Sequence, residues 1–519
     1  MRKILSAALA TVLALSALAG CNVSANQTGT ENKPVETTTL SATSTALKAP
    51  KYVFLFIGDG MSYPQFQSAS DYLGALADPD YAKAAPSLDD NQGAILDGPV
   101  ALNFMDFDVT GSAVTYDSNS FAPDSASTAT SISTGHKTYS GSINVDETAT
   151  VQYETITEKV HDQLGMKVGV ISSVNLNHAT PAAFYAHQAS RSNYYEIGQE
   201  LIASDFEYFA GGGLLKPTGS DGDKEDLYVL AEKAGYDVVK TQAEAEKVTA
   251  ENGKVILVDE HLADGDAMAY ELDRTDDMWS LADYVEKGIE VLDNDKGFFM
   301  MCEGGKIDWA CHANDAASSI HDTLALADAV QVAVDFAKEH ADETLILVTG
   351  DHETGGLTIG FAGTDYDTYL SQLDAQKISY AKFDSDYVSA YKTNKTPFET
   401  VLKDIETLFG LKVKGAEGDR LVLTEYELGL LKTAYEKSIN GTSTGMAEQE
   451  EYVAYGTYEP LTVTITHILN NKSGVSFTSY SHTGLPVAVF ADGVNADQFD
   501  GYYDNTDIFN KLAQMLAVK

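Results

Sequence analysis

Ser125 occupies a position where an anion can be held. Pro123 and Asp124 stop the segment before it, and the small residues Ser125-Ala126-Ser127-Thr128-Ala129-Thr130 begin a run that ends at Gly135. The pattern predicts a loop that turns into a helix at Ser125. A side chain there lies beside backbone N–H groups that have no partner within the helix. It also lies at the positive end of the helix dipole, a natural place for phosphate. Small side chains let a ligand approach the backbone closely. Asp124-Ser125 is also an ordinary N-cap pair, and that plainer reading stands until other reactive residues are placed around the serine.

Candidates to surround it are Asp59, Glu303, Asp308, His312, Asp351, His352 and His482. Carboxylates and imidazoles clustered in space hold divalent cations, and cations beside a serine and an anion are the apparatus of metal-dependent phosphoryl transfer. Asp308 and His312 are four apart and share a face of one helical turn. Asp351 and His352 are adjacent, where the chain turns after an apolar run. His482 lies in the polar turn Ser481-His482-Thr483-Gly484. Singly, each has an ordinary reading: a solvated helix face for Asp308 and His312, a loop residue for His482. Together, beside glycines at predicted strand and helix ends, they point to a metal site.

The elements that would position these residues follow from the apolar patterning. Short apolar runs at 52–57, 167–171, 298–302, 344–349 and 487–490 predict buried strands. Helical periodicity is read at 153–164 and 508–516, and most strongly at 321–340, with Leu324, Ala327, Val330, Val334 and Ala337 on one face. Strands alternating with helices predict an α/β fold, a doubly wound, mostly parallel sheet with helices on both faces. Functional groups of such sheets gather at the carboxyl ends of the strands, where Asp59, Glu303, Asp351 and His352 fall. Two regions fit this rhythm poorly. Residues 206–278 are mixed, with Gly211-Gly212-Gly213 and a helical stretch near 227–234. Residues of about 358–480, rich in Tyr, Lys, Glu and Thr, read as an inserted subdomain.

The 519 residues are 44% hydrophobic, enough for a large core. A net charge of −43, from 77 acidic and 34 basic residues, argues against nucleic acid or an anionic membrane surface as a partner. The same field repels phosphate, so strong local cations would have to overcome it. At the N-terminus, a basic Met1-Arg2-Lys3 and an apolar stretch lead to Leu18-Ala19-Gly20-Cys21, which resembles the lipobox of bacterial lipoproteins. It implies cleavage before Cys21 and lipidation of its thiol; an ordinary secretory signal with a chance cysteine is the alternative. In either case residues 1–20 are a signal peptide and the mature protein is extracytoplasmic, in the periplasm or on the cell surface. Residues 22–48 read as a flexible tether, and any anchoring is through lipid alone, since no later apolar run is long enough to span a membrane. Cys302 and Cys311 can pair or remain core thiols; the apolar pattern around Cys302 favours free thiols.

The motifs together resemble the alkaline phosphatase family. They are Ile57-Gly58-Asp59-Gly60-Met61, Pro123 to Thr130, His178-Ala179-Thr180-Pro181 through Arg191, Glu303-Gly304-Gly305-Lys306-Ile307-Asp308 through His312, Thr349-Gly350-Asp351-His352, and Ser481 to Gly484, in family order from about residue 51 onward. The resemblance implies a catalytic domain over 49–519 that hydrolyses phosphate monoesters through a phosphoserine on Ser125 at alkaline pH. It implies two Zn2+ and one Mg2+: Asp308, His312 and His482 for the first zinc, Asp351, His352, Asp59 and Ser125 for the second, and Asp59, Thr180 and Glu303 for magnesium. Arg191 would clamp the phosphate. Where some members carry Asp and Lys, this chain has His178 and Trp309, which bears on the tuning of the magnesium site and of product binding. The family is commonly dimeric, which allows a homodimer here, and insertions near 358–480 often shape the entrance or the subunit contact. The rival is a phosphodiesterase or sulfatase of the same metal-dependent superfamily. A sulfatase would need Pro-x-Arg after its nucleophile, and Ser125 is followed by Ala-Ser-Thr.

Overall fold

The computed structural model describes residues 47–78 and 96–519. The signal sequence, Cys21 and nearly all of the tether lie outside the described residues. Ten strands form one sheet: β1 (Tyr52–Gly58), β2 (Val109–Val114), β3 (Lys167–Ser172), β4 (Tyr208–Gly211), β5 (Tyr236–Val239), β6 (Lys254–Val258), β7 (Phe298–Gly304), β8 (Thr344–Gly350), β9 (Val487–Gly493) and β10 (Gly501–Asp504). Their order is β10-β2-β9-β8-β1-β7-β3-β4-β6-β5. Every pairing is parallel except those of β9, which runs antiparallel to both β2 and β8.

β1 lies at the centre and shows why the sheet is covered on both faces. Its residues are all buried. Tyr52, Phe54 and Phe56 enter one core, and Val53, Leu55 and Ile57 enter the other. On the first face pack α1 (Tyr63–Ala77), α3 (Leu281–Leu292) and α5 (Ala316–Glu339); on the second, α2 (Ser125–Thr134) and α7 (Thr506–Leu516). Between β7 and α5 the chain makes α4 (Lys306–His312). Leu326, Ala329, Val330 and Ala333 are the buried stripe of α5, while Leu324, Val334 and Ala337 only flank it. The apolar face read from the sequence is therefore turned slightly from the one the fold buries.

The region from 206 to 278 does follow the rhythm of the sheet, against the sequence reading. It supplies β4, β5 and β6, which extend one edge in parallel register. Beyond β8, Thr358–Ile359 pairs antiparallel with Val475–Ser476, so the chain leaves and returns at one place. Between them lie helices including Phe398–Phe409, Glu425–Asn440 and α6 (Pro460–Ser473). Val401, Ile405, Leu431, Leu461 and Ile465 share the core of α1 and α5. Cys302 and Cys311 are separate buried thiols. Among the described residues no helix is long and apolar enough to cross a membrane.

Candidate active site

Ser125 is the first residue of α2, as its sequence context predicts. Asp124 caps the helix: its Oδ1 accepts from the backbone N–H of Ser127 at 3.1 Å and of Gly141 at 2.8 Å. Gly135, at φ 74°, ends it in the left-handed conformation. The whole helix is buried, and small hydroxyl residues make that tolerable by donating back to helix carbonyls, Ser131 to Ser127 at 3.0 Å and Thr134 to Thr130 at 2.7 Å.

The carboxyl ends of the central strands bring the acids to this helix. Asp59 follows β1, Glu303 lies near the end of β7, and Asp351 and His352 follow β8. Thr128 of α2 donates to Asp351 Oδ2 at 3.0 Å, and the N–H of Gly60 donates to Asp351 Oδ1 at 3.1 Å. Thr180 donates to Asp59 Oδ2 at 3.2 Å, and Ser172, at the end of β3, donates to Glu303 Oε2. His482 arrives from far along the chain because His482–Thr483 pairs antiparallel with Glu353–Thr354, directly after His352. Its ring stacks on that of His352, with centroids 3.6 Å apart and planes at 20°.

The imidazoles are oriented by their other nitrogens. His312 Nδ1 donates to the carbonyl of Tyr480 at 2.6 Å, and His482 Nδ1 to that of Pro123 at 2.5 Å. These partners assign the protons to Nδ1 and leave both Nε2 atoms as lone pairs. The two Nε2 atoms face each other at 3.1 Å, with carboxylate oxygens of Asp308 at 3.4 Å from one and 3.6 Å from the other. His352 Nδ1 lies 3.2 Å from Thr354 Oγ1, which donates to Asp308 Oδ1 at 2.6 Å. That leaves His352 Nε2 facing Ser125 Oγ at 3.2 Å and oxygens of Asp59 and Asp351 at 3.3 Å each.

Such an arrangement of lone pairs and anions is repulsive unless something positive lies among them. Asp59, Glu303, Asp308 and Asp351 are all within 3% of complete burial. Burial and neighbouring charge push Asp59 well above the usual carboxylate range, Glu303 up to about 7 and Asp351 up to about 8. Burial opposes ionisation of Asp308 as well, yet the imidazoles of His312, His482 and His352 hold it below its ordinary value. Asp59 Oδ1 and Glu303 Oε1 are buried without a hydrogen-bond donor among the described residues. This donor set, oxygen-rich on the Glu303 side and imidazole-rich on the His312 side, fits divalent cations. Three triads have ligand atoms within 4.8 Å of one another: Asp308, His312 and His482; Asp59, Asp308 and His352; Asp59, His178 and Glu303. The first is the triad expected from the sequence. The second triad adds Asp308 to His352 and Asp59, beside which Asp351 also lies 3.3 Å from His352 Nε2, and in the third His178 joins Asp59 and Glu303.

Arg191 reaches the same site from beyond β3. Its NH1 donates to Asp124 Oδ2 at 2.9 Å and its NH2 to His178 Nε2 at 3.0 Å. Burial, then the nearby guanidinium, pushes His178 down to about 3, so the ring is a neutral acceptor. Trp309, on α4 between Asp308 and His312, meets the His178 ring edge-on, with centroids 5.9 Å apart. All the site residues expected from the sequence within the described chain thus converge. Sequence reasoning missed three contributors. Asp124 both caps α2 and holds Arg191, and its place directly after Pro123 shows only the cap. Thr354 bridges Asp308 and His352, and Thr128 steadies Asp351. A hydroxyl residue carries no sequence signal for such a role.

Fold and site together define a doubly wound α/β protein whose buried metal-binding donors surround a serine at a helix N-terminus. The family model for alkaline phosphatase matches residues 50–518, and the chain belongs to that family. It is an enzyme of the alkaline phosphatase class. Alkaline phosphatase 3 of Bacillus subtilis is 29% identical over 477 residues, covering 90% of this chain and 89% of that one. A cold-active alkaline phosphatase structure from Shewanella sp. superposes with a TM-score of 0.68 at 27% identity, covering 90% of this chain and 99% of that one. The Thermus thermophilus alkaline phosphatase structure shares the fold, with a TM-score of 0.71 at 21% identity over 92% of this chain and 95% of that one.

Proposed function

We propose that this chain hydrolyses small phosphate monoesters to an alcohol and inorganic phosphate through a covalent phosphoserine on Ser125. The observation that carries this reading is the pair of Nε2 lone pairs of His312 and His482, 3.1 Å apart beside Asp308, with the His482 ring stacked on the His352 ring that faces Ser125 Oγ at the start of α2. Asp308, His312 and His482 would hold one zinc; Asp59, Asp351 and His352 a second, next to Ser125 Oγ; Asp59, Thr180 and Glu303 a magnesium. Bound cations of this kind lower the pKa of a hydroxyl and neutralise charge that develops on oxygen. Ser125 Oγ attacks phosphorus, the bond from phosphorus to the ester oxygen breaks, and the alcohol leaves. Water then attacks the phosphoserine and returns Ser125 with release of phosphate. The first N–H groups of α2 and the planar fork of Arg191 receive the phosphoryl oxygens. Asp124 and His178 keep that fork in place throughout, because His178 stays neutral across the working range.

Without cations the carboxyls of Glu303 and Asp351 are raised and hold their protons up to about neutrality, so loading of the proposed metals is favoured as pH rises. The lipid anchor on Cys21, a catalytic domain over 49–519 with its insertion at about 358–480, and a homodimer are part of the same proposal. The test compares rates on a phosphate monoester and a phosphate diester, with and without chelator. Hydrolysis of the monoester that a chelator abolishes, and that zinc with magnesium restores, is the expected result. A preference for the diester, or full activity after metal is stripped, overturns it.

A further inference from the structure

Glu353 stands between two residues of the site, yet none of the three triads includes it. It follows His352 and precedes Thr354, whose side chains turn to Ser125 and to Asp308. Alternation along an extended chain turns Glu353 the other way. Its carboxylate is completely buried, and no basic side chain pairs with it among the described residues. Four other donors converge on it. Oε1 accepts from Gln65 Nε2 at 2.8 Å and from the N–H of Leu357 at 3.1 Å. Oε2 accepts from the N–H of Gly356 at 3.1 Å and from the hydroxyl of Thr483.

These donors come from three parts of the chain. Gln65 lies on α1 and is itself held: the N–H of Ser62 donates to its Oε1 at 2.9 Å, and its Nε2 also reaches the carbonyl of Thr354 at 3.1 Å. Gly356 and Leu357 belong to the turn after Thr354. Gly355 and Gly356, at φ 86° and 59°, let that turn close, and a side chain at Gly356 would run into Thr478. Thr483 is the chain neighbour of His482. The ladder that joins His482–Thr483 to Glu353–Thr354 has only two residue pairs, and so short a pairing is marginal by itself. The carboxylate ties that ladder to α1 and to the turn, on the face of the chain away from the site.

Resting on the reading that Asp308, His312 and His482 hold zinc, we propose that Glu353 is a positioning residue that sets where His482 stands against His312 and His352. Glu353→Gln keeps the shape but turns one acceptor into an NH2 group, which then faces the N–H of Gly356 or of Leu357 and cannot accept from it. The test titrates zinc into the metal-free full chain in competition with a chelating dye, and measures kcat with zinc in excess. Glu353→Gln should weaken zinc binding about tenfold and recover most of the wild-type kcat once zinc is in excess. Thr483→Val removes one donor, keeps the shape and should weaken zinc in the same direction, while Thr483→Ser should keep wild-type affinity. A residue that only supports the fold would lower the melting temperature of metal-free Glu353→Gln and leave its zinc affinity unchanged, and that result overturns the proposal. Equal zinc affinity in Thr483→Val and Thr483→Ser overturns it as well, even where Glu353→Gln fails to fold. A wild type that neither binds zinc nor needs it for hydrolysis removes the zinc reading itself, and the positioning role with it.

Discussion

Stripping the metals should make the protein a pH-dependent sponge for protons at its centre. Without cations, Asp351 titrates at about 8 and Glu303 at about 7, because both are buried among other acids. At pH 7 the first is then about nine-tenths protonated and the second about half, so loading metal releases about 1.4 protons from these two; at pH 9 it releases about 0.1. Apparent affinity should rise at least about tenfold from pH 7 to pH 9 at the site containing Asp351 and at least about twofold at the one containing Glu303, because Asp59, raised as well, belongs to both. The sign for stability is opposite in the metal-free form. A carboxyl whose folded pKa is raised stabilises fully below about pH 4, and that contribution is lost as pH rises through 7 to 8. The metal-free protein should therefore melt lower at pH 9 than at pH 6, and the loaded protein should not. Calorimetric metal titrations in two buffers of different ionisation heat read the protons directly, and thermal melts read the stability. Binding without proton release at pH 7, or a metal-free melting temperature flat over this range, would refute the account of the buried acids.

Asp124→Asn keeps an oxygen to cap α2 but removes the charge that holds Arg191, so melting should change little while inhibition by inorganic phosphate weakens several-fold; a large drop in stability with unchanged inhibition would mean the cap is its whole role. Trp309→Lys places an ammonium near bound phosphate, where one charge interaction is worth on the order of 1 kcal/mol, so phosphate inhibition should tighten several-fold and kcat fall. An unchanged or weaker inhibition constant would leave Trp309 as a packing residue between Lys306 and His178. Attack by Ser125 followed by water predicts net retention at phosphorus on a chiral phosphate ester, and inversion would take the nucleophile's role from Ser125. Cys21→Ser should release the protein from membranes or block its maturation, and a wild-type protein found wholly in the medium speaks for an ordinary secretory signal.

The parts of the fold that were legible are those where one physical demand dominates. β1, β3, β7, β8 and the start of β9 are buried on both faces, so they read as unbroken apolar runs. β2, with Thr110, Gly111 and Ser112, and β10, with exposed Gly501 and Tyr502, belong to a sheet edge that is only partly covered, and their runs are interrupted. β4 and β5 have four residues each, too few for a period to emerge. That β9 runs antiparallel is invisible locally, since a buried strand has the same composition in either direction. At the site, motif residues such as Asp59 and His352 could be recognised because glycines mark the strand ends. Lys306 could not: its complete burial depends on Asp264 and Tyr270 meeting it beside Trp309, and nothing near Lys306 in the chain announces those two distant partners.

The central place of β1 sets a timetable for the chain's birth. Gly60, just after that strand, bonds to Asp351, 291 positions later, and His482 bonds to Pro123 across 359 positions. At about 5–20 residues per second of synthesis, the first strand waits tens of seconds for either neighbour to exist. During that time its run of aromatic and aliphatic side chains has no native partner, and loop closure over such distances is slow even once the partners are made. The nascent chain is thus long exposed to misassociation. A chain that stops short of His482 would own the serine, the arginine and most of the acids, and still lack one corner of the Asp308, His312 and His482 triad.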